Sequence, residues 1–353
     1  MKKINYKELN FDIFDKTYDE IIKLSDDQIL GFLGDIQDFE NKNKGYDFET
    51  LILRFLHHKN NKIRLFVTKY IENSSDFSLV RKLRKIIADE KDSNIKLQAI
   101  KILGKWIEIL SSKNNRKNET NRLMKFGLEF ISNSISKSDQ NNMLMSISHL
   151  SNEEIDKLII DKFNSKNLDD NITAIISMGN NGNIKWIPLI EDLLENDNHE
   201  IRSKSCISLS LIGNEEHLDQ IKDLLEDEEL DTQKAAVEAI FNIGGPYSKD
   251  ILEKLRFSPE PEIIELSKNK IAELIKFEEL ESDPNETNKD DSEEEYNDDD
   301  FDEYDAAKIE GWGSLNEDGT SFIAPDAIDE DINDPIKSLS DYEKPIEQPD
   351  IDD

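Results

Sequence analysis

The 353-residue chain holds 78 acidic and 44 basic residues, a net charge of −34, and 30 of those acids with only 4 bases fall in residues 277–353. This is an acidic tail on a nearly balanced body, and it sets nucleic-acid binding last among the available functions. A single cysteine, Cys206, excludes a disulfide within the chain and fits a reducing, cytoplasmic setting; no apolar run predicts a signal peptide or a membrane-spanning helix.

Residues 1–45 read as an irregular helical cap. Asp15 to Leu24 carries a helical pattern, and Ser25-Asp26-Asp27-Gln28 fits a capping box that opens a helix through about Ile36. Asn41 to Gly45 is a polar break, after which Phe48, Leu51, Ile52, Phe55 and Leu56 return at helical spacing. From Asn60 the pattern repeats. One first helix carries Val67 and Ile71 inward and the next carries Ala99 and Leu103. Between them, Leu79, Val80, Leu83, Ile86 and Ile87 form a buried stripe whose opposite side shows Arg81, Lys82, Arg84 and Lys85.

The following unit is longer. Its first helix is expected to run through about Ser112 and its second to carry Leu123, Phe126, Phe130 and Ile131 inward, with 113–118 as the loop, so that this hairpin projects. Strict periodicity then sets in: Ser151, Gly182, Gly213 and Gly244 stand 31 residues apart. Apolar or small residues stand at fixed offsets on both sides of each, for example Met178, Leu209 and Ile240 four places before. A period of this length around a turn residue predicts stacked helical hairpins sharing one core. Ser151-Asn152-Glu153-Glu154 fits another capping box, and Ser258-Pro259 opens a last helix to near Lys276. Beyond it, 277–353 is too charged to order alone, apart from small apolar islands such as the one around Trp312.

Ile201-Arg202, Ser205-Cys206, Ser208-Leu209-Ser210 and Gly213 follow the order of an apolar-basic pair, two small residues, a small-leucine-small step and a closing glycine. Met178 to Gly182, Asp92 to Gly104 and Ala235 to Gly244 repeat parts of it. This pattern resembles the HEAT-like repeat, in the short variant found in phycobilisome lyase subunits, over roughly residues 60 to 275. The resemblance implies an all-α, armadillo-like superhelix of six or seven hairpins over 46–276, with second helices on the concave side. It also implies a charge ladder between repeats, for which Asp197 with Arg202 and Asp92 with Lys96 are the expected pairs. Asp139-Gln140 and Asp170-Asn171 lack the apolar-basic pair, which marks two looser joints.

No catalytic constellation emerges. His199-Glu200 is a lone dipeptide where an iron site needs several, Cys206 occupies a small buried column, and no phosphate loop, metal-spaced cysteine pair or nucleophile elbow is present. No catalytic, cofactor or metal residues are therefore assigned. The charge map is more informative: 13 basic and 5 acidic residues lie between Arg81 and Phe126, whereas Asp219, Asp223 and Glu226 belong to a later acidic stretch. These features point to a non-enzymatic scaffold that grips a protein partner. Arg81, Lys82, Arg84, Lys85, Asp219, Asp223, Glu226 and Trp312 are the candidate contacts, and the acidic tail is a second occupant for the basic patch. A bilin-lyase-like subunit is the alternative implied by the resemblance alone.

Overall fold

The computed structural model describes residues 6–9, 13–43, 45–74, 76–112, 117–282, 314–315 and 321–322. The chain divides into two compact units, Met1–Pro284 and Asn285–Asp353. In the second unit the described residues form a two-stranded antiparallel pair, β1 (Ser314–Leu315) and β2 (Ser321–Phe322), with Ser314 opposite Phe322. The expected disorder of 277–353 and the anchor Trp312 otherwise lie outside the described residues.

The first unit is helical. A cap of α1 (Phe14–Ile21), α2 (Asp26–Lys42) and α3 (Glu49–Leu53) precedes six hairpins and a final helix. The hairpins pair α4 (Asn61–Ile71) with α5 (Val80–Asp89), α6 (Ser93–Ser111) with α7 (Lys117–Asn133), and α8 (Lys137–Ile147) with α9 (Glu153–Phe163). They continue with α10 (Leu168–Asn181) and α11 (Ile187–Glu191), α12 (His199–Ile212) and α13 (Leu218–Asp223), and α14 (Leu230–Ile243) and α15 (Gly245–Lys254). Helix α16 (Pro261–Ser282) closes the series; it begins two residues after the Pro259 opening read from sequence and ends six residues beyond Lys276. The first helices pack in succession from α4 to α16, and each second helix lies against the next first helix, α5 on α6 through α15 on α16. This unit is thus a two-layer α-solenoid.

Periodic caps position the layers. Ser136, Asn167 and Asn198, 31 residues apart, each place a side-chain oxygen on a backbone N–H at the start of α8, α10 and α12. Asn60 and Asp92 do the same for α4 and α6. At the other end, Gly182 and Gly244 take left-handed φ values of 69° and 70°, which a side chain would strain, whereas Gly213 at the same corner is extended. Close approach between first helices needs small residues. A Cβ on Gly179 would meet Ser208 Cα at 2.9 Å, and one on Gly104 would meet Ser146 Oγ at 2.8 Å.

The cap of Ser25 on Gln28 is present as a capping box, but its helix continues to Lys42. Before α9 the capping residue is Asn152, not Ser151. Helix α6, with 19 residues, is about 28 Å long, against about 16 Å for the 11-residue α8.

Candidate interaction surface

The inter-repeat ladder has different partners from those the sequence pairs suggested. Arg202 binds Asp227 in two parallel hydrogen bonds of 2.7 and 2.8 Å and donates to the backbone carbonyls of Asn196 and Asp197. Arg64 does the same with Glu90, at 2.8 and 3.0 Å, and with the carbonyls of His58 and Lys59. Each arginine therefore ties the turn entering its own hairpin to the turn leaving it. The hydrogen bond from the guanidinium is the leading cause that holds Asp227 and Glu90 below the usual carboxylate range. Asp92 instead caps α6, and Lys96 lies 3.5 Å from Asp139.

The two joints read as lacking the apolar-basic pair, and a third at Gln233, are stitched by amides at the repeat position that Arg202 occupies. Gln140, Asn171 and Gln233 donate to the carbonyls of Ser134, Ser165 and Asp227, each six residues earlier, as Arg202 does to Asn196. Asp170, where the repeat expects an apolar residue, takes hydrogen bonds from Lys162, Asn141 and Ser165. These joints are therefore held, with polar contacts substituting for the basic residue.

With its joints fixed, the solenoid presents the second helices as a charged layer. On α5, Arg81 and Lys85 are exposed, Lys82 and Arg84 half-buried. On α7, Arg122 and Lys125 are exposed. Arg84 reaches across to α7, its guanidinium carbon 4.8 Å from the Phe126 ring centre. Burial pushes Arg84 below its ordinary pKa; Glu129 opposes this, and Arg122 and Arg81 add to it. Burial likewise lowers His57, with Lys85 and Lys82 acting in the same direction. These cations therefore gather around α5 and α7, and among the described residues Arg81, Lys85, Arg122 and Lys125 form no ion pair. Lys101 and Lys105, although close in sequence, sit on the exposed side of α6 in the layer of first helices.

Further along the second layer the sign reverses. Asp219 and Asp223 on α13 and Glu226 just after it are exposed, and Asp219 accepts a 2.7 Å hydrogen bond from the Tyr247 hydroxyl. Helix α5 carries four cations against Asp89, whereas residues 215–227 carry six acids against Lys222, or seven charged groups with one positive. Phe126, read from sequence as a core residue, is the element that sequence reasoning missed: its ring is a shelf for Arg84. Only the 42-residue separation hid that pairing.

Among the described residues no group of three or more histidine, cysteine or acidic side chains is arranged to hold a metal ion, and no helix is long and apolar enough to cross a membrane. His199 is the first residue of α12. Cys206 is fully buried, and burial pushes its thiol up to about 12.

A profile described as HEAT repeats matches residues 157–240 and 188–265. No curated protein matches the sequence. Among solved structures, the E. coli protein YibA is 15% identical, with 77% of this chain and 99% of that chain covered and a TM-score of 0.37. A designed armadillo repeat protein in complex with the peptide (KR)4 is 17% identical, with 55% and 98% covered and a TM-score of 0.32. Human deoxyhypusine hydroxylase is 12% identical, with 74% and 98% covered and a TM-score of 0.30.

Proposed function

We propose that this α-solenoid, whose residues 157–240 and 188–265 match the HEAT-repeat profile, is a non-enzymatic scaffold that holds an extended protein partner along its layer of second helices. We take that layer as the concave side of the stack and place the protein in the cytoplasm. The observation that carries the reading is the set of exposed cations Arg81, Lys85, Arg122 and Lys125 on α5 and α7, which form no ion pair among the described residues, with the exposed acids of α13 further along the same layer. A stiff stack bound by polar joints presents such charges without reorganising, so little ordering cost opposes a partner that matches the gradient. Opposed charges at two places also orient an elongated partner and speed its encounter. The acidic tail competes for the basic end and tunes access to it.

The test is affinity capture from the native cell with the full chain and two charge-reversal variants. Arg81→Glu with Lys85→Glu, and Asp219→Lys with Asp223→Lys, are each expected to lose the same partner while melting as the parent does. Capture that is unaffected by both variants overturns the reading. A captured nucleic acid with steep salt dependence, or a bound chromophore, assigns the surface to another function.

A further inference from the structure

Arg84 stands apart from the arginines of the inter-repeat ladder. Arg64 and Arg202 have their guanidinium edges taken by Glu90 and Asp227. Half-buried Arg84 makes no hydrogen bond or ion pair among the described residues, and its Nε is buried. One face of its guanidinium is covered by Phe126 at 4.8 Å. A ring against the plane holds the guanidinium and leaves its terminal N–H groups on the edge, the part that pairs with a carboxylate in two parallel bonds. Arg81 and Arg122 add positive charge around it, and Glu129 acts in the opposite sense.

The wider charge pattern fixes the kind of anion. Arg81 and Lys85 stand four residues apart on α5, Arg122 and Lys125 three apart on α7, and all four are exposed. Each pair therefore lies about one turn apart along its helix, and neighbouring helices of a stack lie roughly 10 Å apart. Cations in two rows at that separation match carboxylates distributed along three or four extended residues, at about 3.3 Å each, better than a single phosphoryl group. A long polyanion such as nucleic acid fits worse, because the layer turns acidic at Asp219 and Asp223. We propose that the Arg84–Phe126 shelf receives a short acidic segment of the partner, extended across α5 and α7. One carboxylate takes the Arg84 edge, and its neighbours meet the exposed cations. Phe126 is a positioning residue that acts through Arg84.

This inference rests on the scaffold reading of α5 and α7 and names the partner's chemistry at their end of the layer. Fluorescence anisotropy with the full chain tests it, at about 0.1 M salt so that charge on the tail is screened beyond about 10 Å. The probe is a fluorescein-labelled dodecapeptide of alternating glutamate and serine. It should bind, and the same peptide with glutamine for glutamate should not. Arg84→Lys keeps the charge but loses the paired bonds, and should weaken binding about tenfold with unchanged melting. Arg81→Gln, at an exposed position, should weaken it about twofold to threefold. Phe126→Leu should weaken it in the parent and add nothing once Arg84→Gln is present, the coupling expected of a residue that works through another. Where Phe126→Leu fails to fold, Arg84→Lys alone decides. No binding of the glutamate peptide, or equal binding by Arg84→Lys and the parent, overturns the proposal. Tighter binding of a twelve-nucleotide oligothymidylate or of a singly phosphorylated serine peptide also overturns it. If the peptide arm fails while partner capture still depends on Arg81 and Lys85, this proposal falls and the scaffold reading stands. Peptide binding that needs Arg84, with capture indifferent to both charge reversals, gives the opposite result.

Discussion

The hairpins from α8 onward and those of α4 to α7 are built on the same plan and differ in what they leave exposed. In the later group the cap, corner and small-residue positions recur every 31 residues, and adjoining first helices approach closely, as at Gly179 and Ser208. Most of their polar side chains at the joints are consumed by the stack itself, as Arg202, Asn171 and Gln233 are. The earlier group breaks the period with a 19-residue first helix and a 17-residue second helix, and its exposed cations Arg81, Lys85, Arg122 and Lys125 gather on neighbouring second helices with no ion pair among the described residues. Both groups use polar side chains at their joints, as Arg64 and Arg202 show; the earlier group differs in gathering exposed cations on two neighbouring second helices.

The sharpest way to break the regular half is at its closest contact. Gly179→Val drives a branched side chain into the Ser208 backbone and should cost about 3 kcal/mol in urea unfolding. Next, Arg202→Ala removes both bonds to Asp227 and leaves two turn carbonyls without their donor, a loss of about 2 kcal/mol. Arg64→Ala should match it, which would make the ladder a shared feature of both halves.

The same pair predicts the effect of acid. Asp227 and Glu90 are depressed in the folded protein, chiefly by hydrogen bonds from Arg202 and Arg64. Their contribution is therefore complete above the unfolded carboxylate value near about 4 and is lost as pH falls through the lower folded values. The stability gap between the parent and Arg202→Ala should be full at neutral pH and should close in acid; a gap of constant size contradicts the pairing. The cap gives the opposite sign to Gly179. A Cβ on Gly31 meets nothing within 4 Å, so Gly31→Ala should stabilise α2 by about 0.5–1 kcal/mol. The smallest effect is chemical: Cys206 should resist thiol reagents at pH 8 until the protein unfolds, since it is buried with its pKa pushed up to about 12.

The repeat, the turn corners and the cation stripe of α5 could all be read along the chain. The cap column of Ser136, Asn167 and Asn198 is equally visible along the chain at the same spacing. Hairpin stacking is written into the chain because each helix must bury its apolar stripe, and a 31-residue recurrence leaves few other ways to do so. Folding alone decided the rest. Arg202 lies close in sequence to Asp197 yet takes Asp227, since the hairpin returns the later turn to the guanidinium edge while the Asp197 carbonyl serves the other nitrogen. Arg84 finds Phe126 for the same reason: contacts between successive second helices depend on where two hairpins close, and no local spacing encodes that distance.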